Sequence, residues 1–340
     1  MSKNVDIAIV GVTGAVGEVM LEILEQRDFP VGTIYPLASA SSAGKRVEFR
    51  GKSLVVRDLA EFDFSRVQLA LFCATEAVAA EHAPRAAAAG CVVIDTSARF
   101  RSDASVPLVV PEVNPQAIAG YTAHNLIASP DALAIQLWMA LKPLYDTVGI
   151  TRLNVATYQA VSGSGKAGVK ELAGQTANLL NARPLEHQVY DRQIAFNALA
   201  QVEPLEDNGY TRAEMNLVRE SRKILGDENL PINPTAVRIP VFYGHGMAVH
   251  LETRDKLGAG QARALLQQTP GVTVMDALRD DGYPSAVSDA ANENAVLVGR
   301  IREDISHPQG LDLWIVSDNV RKGAALNSVQ IAEILVKDYL

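Results

Sequence analysis

Apolar residues fall in two different rhythms along this chain. Up to about residue 130, short unbroken apolar runs alternate with stretches of helical spacing: VDIAIVG, a helix over roughly 15–27, TIYPLAS, QLALFCA, an alanine-rich helix near 76–90, and CVVIDTS. Strands apolar on both faces and separated by helices predict a parallel sheet covered on both sides. Beyond LKPLYD the runs lengthen to ITRLNVATYQAV, TAVRIPVF, MAVHLET, AVLVGRI and LDLWIVS, with few helices between them. These predict a second α/β domain on a mostly antiparallel sheet. The expected division is 1–129 and 130–320. The closing stretch 321–340, RKGAALNSVQIAEILVKDYL, has helical spacing and is expected to return to the first domain, because chain ends often lie together.

Composition narrows the function classes. A chain of 340 residues with 48% hydrophobic residues can bury two cores. A net charge of -8, with no basic run interleaved by aromatics, gives no general attraction for nucleic acid. MSKNVDIAIV lacks the apolar core of a signal peptide, and no apolar run reaches the length of a membrane span. The expectation is a cytoplasmic protein with no nucleic-acid or membrane partner. Two cysteines, Cys73 and Cys91, and six scattered histidines offer neither a disulfide framework nor metal-ligand spacing, so no metal is expected.

The candidate chemistry lies in a few short motifs. GVTGAVG, residues 11–17, follows the first strand and opens the first helix. Gly11, Gly14 and Gly17, with Thr13, Ala15 and Val16 between them, let backbone N–H groups approach a pyrophosphate, although a tight turn without ligand would use the same glycines. The acidic residue that would meet a ribose hydroxyl is missing; LASASSAGK supplies Ser39, Ser41, Ser42 and Lys45. That leans towards NADP over NAD, with no arginine to make the preference strong. VSGSGKAG departs from a P-loop at Ala160 and Ala167 and fits a glycine-rich helix entry. RIPVFYGH sets Arg238 ahead of His245, whose flanking glycines suit a cleft histidine, although a histidine without a functional role fits the same pattern. Arg99 and Arg101 follow VVIDTS at the carboxyl end of a parallel strand, where arginine suits a small anion; two surface arginines are the simpler account. Cys73 ends QLALFC, where a small buried hydrophobe is commoner than a reactive thiol. ASPDALAIQL reads as a helix start, with Ser129 as N-cap, Pro130 at the first helical position and Asp131 in the first turn.

Taken in order, GVTGAVG, LASASSAGK, ALFCATEAVAAEHAPRAAAAGCVVIDTSARFR, VPLVVPEVNP, ATYQAVSGSG, VRIPVFYGH, NAVLVGRIRED and LWIVSDNVRKGAALNSVQIAE resemble the aspartate-semialdehyde dehydrogenase family along nearly the whole chain. The resemblance implies an α/β architecture: a Rossmann-type dinucleotide-binding domain and an α/β dimerisation domain, hence a homodimer. It also implies NADP- and phosphate-dependent oxidation of an aldehyde to an acyl phosphate through a cysteine thioester. By that resemblance Gln159 is the active-site glutamine, Arg238 the substrate-carboxylate arginine, His245 the acid/base and Arg101 the phosphate-site arginine. Ser162, Gly163 and Asn319 join the cofactor set. The departures fall on the chemistry itself. Where the family has Asn-Pro-Asn-Cys, this chain has Ser129, Pro130, Asp131 and Ala132, so the nucleophile position is Ala132. Ala213 replaces the substrate-amine carboxylate, Asn216 the phosphate-site lysine and Ser41 the arginine for a 2′-phosphate. This combination resembles the Usg-type paralogues. The expected protein binds NADP or NAD weakly, keeps a cleft for a small anionic ligand, and is catalytically inactive or weak. The alternative is an active oxidoreductase on an aldehyde or other carbonyl without thioester chemistry.

Overall fold

The computed structural model describes residues 4–340. The chain forms two compact units, one running to Asp131 and taking in Ala324–Leu340, the other spanning Ala132–Gly323.

In the first unit, β1 (Val5–Val10), α1 (Ala15–Gln26), β2 (Val31–Ala38), β3 (Arg46–Phe49), β4 (Lys52–Val55), β5 (Arg57–Asp58), β6 (Leu69–Phe72), α2 (Glu76–Ala88), β7 (Val92–Asp95) and β8 (Leu126–Ala128) follow in order. Six strands pair in parallel in the order β5-β2-β1-β6-β7-β8, while β3 and β4 form a separate hairpin. The chain builds outward from β1 through β2, then crosses to β6 on the other side. The carboxyl ends of β1 and β6 therefore flank a crevice, the usual ligand position of such a sheet. Every residue of β6 and β7 is buried, which is why their sequences read as unbroken apolar runs. The C-terminal helix Asn327–Asp338 completes this core, with Val329, Ile331, Ala332 and Leu335 in one cluster with Ile7, Ile9, Leu71 and Ile94.

The second unit opens with α3 (Ala132–Val148), then β9 (Ile150–Gln159), α4 (Gly165–Leu180), α5 (Arg212–Leu225), β10 (Ile232–Arg238), β11 (His245–Thr253), α6 (Ala259–Gln267), β12 (Val272–Val274), β13 (Val296–Glu303) and β14 (Gly310–Ser317). Their sheet runs β10-β9-β11-β14-β13-β12. The three inner pairings are antiparallel, but both outer ones, β10 with β9 and β12 with β13, are parallel. The expected mostly antiparallel sheet is therefore a mixed one. The physical reason is the length of two connections: β9 reaches β10 only after α4 and α5, and such a crossover returns the chain to pair in the same direction. Sequence periodicity locates the strands but does not give their direction.

α3 also begins later than its sequence suggests, at Ala132, which leaves Asp131 outside the first turn. A shift of one or two residues is ordinary at helix ends; here it frees the Asp131 carboxylate to pair elsewhere. Among the described residues no helix is long and apolar enough to cross a membrane, and no group of three or more His, Cys, Asp or Glu could hold a metal.

Candidate functional site

The glycine loop of the first unit is fixed from both sides of β1. Gly11 and Val12 donate their N–H groups to the Leu37 carbonyl at 2.9 and 3.2 Å. Gly11 has φ +85°, and a Cβ on it would fall 2.6 Å from the Cys73 carbonyl oxygen. No L side chain fits that position without strain. Gly14 is the N-cap of α1 and makes no side-chain cap. The first-turn N–H groups of Ala15, Val16 and Gly17 thus lie beyond the reach of any intrahelical acceptor, and Thr13 precedes them in the loop. Two residues past Leu37 the hydroxyls begin: Ser39 and Ser41 share a hydrogen bond at 3.0 Å, and Lys45 Nζ donates to Ser42 Oγ at 3.2 Å. An open helix N-terminus with a close backbone approach suits a pyrophosphate, and hydroxyls with one lysine suit a ribose without repelling a 2′-phosphate.

Neither thiol is poised for attack. Cys73 retains some surface, yet its Sγ donates to the Val10 carbonyl at 3.0 Å. Loss of solvent around the sulfur, with a further contribution from the Asp95 carboxylate, pushes its pKa up to about 12. Burial pushes Cys91 up to about 12 as well. Thiolates are scarce at neutral pH under those conditions. Asp95 is itself raised by burial, although Ser97 donates its N–H and its hydroxyl to the carboxylate at 3.1 and 2.6 Å.

Arg101 and Asp131 are brought together. The guanidinium donates from Nε to the Ser129 carbonyl (3.1 Å), from Nη2 to the Thr96 carbonyl (2.6 Å) and from Nη1 to Asp131 Oδ2 (3.3 Å). The arginine side chain is 12% exposed and the aspartate 42%. Arg99 is exposed and lies over the Phe100 ring.

In the second unit one edge of the sheet gathers the polar groups. Because β11 runs against its neighbours, its first residue meets the last residues of theirs: Arg238 is level with Gln159, and His245 with Ser317. All four are buried. Ala160, just past β9, organises the set through its main chain: its N–H donates to His245 Nδ1 at 3.1 Å, and its carbonyl accepts from Arg238 Nη1 at 2.7 Å. With Nδ1 accepting, the ring proton sits on Nε2. Gly163 leaves room there, since a Cβ on it would lie 2.7 Å from Arg238 Nη1 and 3.4 Å from His245 Nε2. Asn319 Oδ1 accepts from the Ser162 hydroxyl and the Gly244 N–H, both at 3.1 Å, tying the end of β14 to the same edge. Gln159 accepts nothing from His245; its amide donates to Thr157 Oγ1 at 3.2 Å.

Ala132 stands one helical turn before Gln136, whose Nε2 donates to the His245 carbonyl at 3.4 Å. Sequence reasoning missed Gln136 and the main chain of Ala160. The first had a signal, the i, i+4 spacing from Ala132, whereas a backbone role leaves none. Ala213 and Asn216 lie half-buried on α5. Their neighbour Glu214 does not replace the missing carboxylate, because its oxygens accept from the Thr211 and Ala236 N–H groups at 2.7 and 2.8 Å in a capping box.

A family described as semialdehyde dehydrogenase, NAD binding domain, matches residues 6–121, and a second, semialdehyde dehydrogenase, dimerisation domain, matches residues 141–322. The aspartate-semialdehyde dehydrogenase of Legionella pneumophila is 57% identical over 340 residues, covering 100% of this chain and 98% of that protein. A USG-1 protein homolog of Pseudomonas aeruginosa is 43% identical, with 100% of both chains covered. The structure of aspartate semialdehyde dehydrogenase II from Vibrio cholerae, in complex with ASA, superposes with a TM-score of 0.98 at 53% identity and 100% coverage of each chain. With the parallel sheet, the glycine loop in its crevice and matches on both units, the chain belongs to the aspartate-semialdehyde dehydrogenase family and carries that family's NAD-binding domain.

Proposed function

We propose that this chain is a dinucleotide-binding homodimer that has given up its family's thioester chemistry, in the manner of the Usg-type paralogues. One observation carries the reading: the first residue of α3, where the family resemblance puts the nucleophile, is Ala132, and both thiols of the chain are held at about 12. Losing a covalent nucleophile removes on the order of six decades of turnover. Other groups keep their tasks. Gln159, Arg238 and His245 hold a small carbonyl or carboxylate ligand. Gly11, Thr13, Gly14, Ala15, Val16 and Gly17 take a pyrophosphate, with Ser39, Ser41 and Ser42 for the ribose, while Ser162, Gly163 and Asn319 belong to the cofactor set only by the family resemblance. Binding is weak, and NADP gains little over NAD, because Ser41 brings no guanidinium to a 2′-phosphate. A bound nicotinamide would supply the hydride acceptor. The family's dimerisation domain supports pairing through the second unit.

A second reading rests on His245 Nε2 and Arg238 converging over Gly163. That pair can move a proton and polarise a carbonyl without any thioester, as an oxidoreductase on another aldehyde or ketone requires. Steady-state NADPH formation from aspartate semialdehyde and phosphate decides between the two, together with calorimetric titration of NADP and NAD and a screen of other carbonyls. We expect nucleotide binding without turnover. Ala132→Cys alone should give little activity, and adding Asp131→Asn, Ala213→Glu and Asn216→Lys should raise it by at least tenfold. Robust phosphate-dependent turnover by the unmodified chain would overturn the proposal, and its loss in Cys73→Ser would then relocate the nucleophile.

A further inference from the structure

We propose that Phe196 is a preset apolar knob that seats in an aromatic hollow on the open sheet face of a second copy of this chain. The inference rests on the homodimer reading and names a contact within it. Phe196 is 67% exposed and has φ +57°. Among the described residues it is the only aromatic one at positive φ, a conformation that a bulky side chain adopts only where its surroundings impose it. Here they do. Gln175, buried on α4, accepts from the Ile194 and Ala195 N–H groups at 2.9 and 3.3 Å, and Gln193 Nε2 donates to the Ala195 carbonyl at 2.7 Å. Asn197 donates from its main chain to the Ile194 carbonyl at 3.1 Å and from Nδ2 to the Gln193 carbonyl at 2.9 Å. Ile194 and Ala195 are themselves buried in a cluster with Val161 and Leu172. Three residues on from the knob, Leu199 exchanges two main-chain bonds of 2.8 Å with Arg238, which ties the turn to the end of β10. The ring is thus presented to solvent from a turn fixed on both sides. A rigid exposed aromatic has little freedom left to lose on binding, which suits an interface anchor.

The same unit carries a receptor for the knob. On β9, β11 and β14, Val155, Val249 and Leu313 are buried, while Ala156, Ala248 and Trp314 form one cross-strand row that keeps surface on the other face. At the end of that row lies a hollow of about 950 Å³ lined by Tyr158, Leu278, Tyr283, Pro284 and Trp314. Its wall is fixed, because the Tyr158 and Trp314 rings lie 5.6 Å apart and Trp314 Nε1 donates to the Pro284 carbonyl at 2.8 Å. Leu278 is 97% exposed. The knob is tied to β10 at one edge of the sheet, and the hollow lies chiefly over β14 and β13, on the far side of β11. A two-fold axis through the small residues Ala156 and Ala248 between them places each knob at the other copy's hollow, the self-complementary pairing of a closed dimer. Two further observations favour a second copy as the occupant. Among the described residues, all the exposed large hydrophobic side chains except Val55, Tyr339 and Leu340 lie on the second unit, and the family's dimerisation domain, residues 141–322, contains both knob and hollow.

Sedimentation equilibrium over a concentration series gives the dimer dissociation constant of the unmodified chain, of Phe196→Asp, Phe196→Gly and Leu278→Lys, and of the double variant Phe196→Asp with Leu278→Lys. Aspartate and glycine tolerate positive φ better than phenylalanine, so both knob variants should fold, which circular dichroism on heating checks. Each single variant should weaken the dimer at least tenfold. The double variant should be at least threefold tighter than Phe196→Asp or Leu278→Lys alone, because the aspartate of one copy then meets the lysine of the other. Folded knob variants that dimerise as tightly as the unmodified chain overturn the proposal and leave Phe196 to a different partner; a double variant without recovery overturns it too. In both of those cases a dimer remains and the homodimer reading stands, whereas an unmodified chain that is monomeric at every concentration overturns both.

Discussion

The two cysteines differ in setting but share a fate. Cys73 stands at a strand end in the crevice and Cys91 in the core, yet desolvation raises both to about 12. At pH 8 the thiolate fraction is on the order of 10⁻⁴ at such a value. Iodoacetamide at that pH should therefore modify neither thiol in the folded chain and both in denaturant; rapid labelling of one cysteine in the native protein would contradict this. The same shifts set an alkaline limit. A folded pKa above the ordinary value of 9.0 contributes stability that is complete below pH 9 and is lost as pH rises towards 12. Replacing both cysteines by alanine should flatten that part of a stability-versus-pH curve measured by urea unfolding.

Elements show where a local feature carries a larger one. Residues 181–211 contain no helix or long strand, and side chains of α4, among them Glu171, Gln175 and Asn178, hold the segment. Glu171, 7% exposed, accepts from the N–H groups of Gln188, Val189 and Tyr190 and from Gln175. Glu171→Ala should orphan these donors at a cost of about 1–3 kcal/mol each where burial persists. We expect the segment to loosen instead. Hydrogen exchange at 188–190 should rise at least tenfold while β9 and β11 stay protected, and unchanged exchange at these amides would argue against the staple. Such a feature is hard to read in sequence. The strands with buried apolar runs, β1, β6 and β7, and the alternating β9 stand out because burial on the sheet demands those residues. The three-residue β8 and β12 are too short to show a period, and the β3–β4 hairpin turns through Arg50 and Gly51, both at positive φ, without the usual Asn-Gly signal. The site divides likewise. The glycine loop is legible because a strand, a turn and a helix follow one another along the chain. The meeting of Arg238, Gln159 and His245 depends on the direction of β11, and the pairing of Arg101 with Asp131 spans 30 residues.

At the scale of the molecule the second unit supplies a broad sheet, and the family's dimerisation domain covers it. Light scattering at micromolar concentration should give a mass of about twice the 36.4 kDa chain; a dominant monomer would count against the homodimer. The net charge of -8 favours solubility without opposing a specific contact.

The first and last residues of the second unit adjoin, so closely that a Cβ on Gly323 would run into the methyl group of Ala132. This contact bears on the order of assembly. The first unit is discontinuous, and its C-terminal helix must find Ile7 and Leu71 across the whole intervening sequence. While that sequence is unfolded, closing so long a loop carries an entropic cost that grows with its length. Once the second unit has folded, its ends are already side by side and the loop contracts to almost nothing. The second unit thus acts as a template in folding, a task that constrains the contact of Ala132 with Gly323 independently of any chemistry at that end of α3.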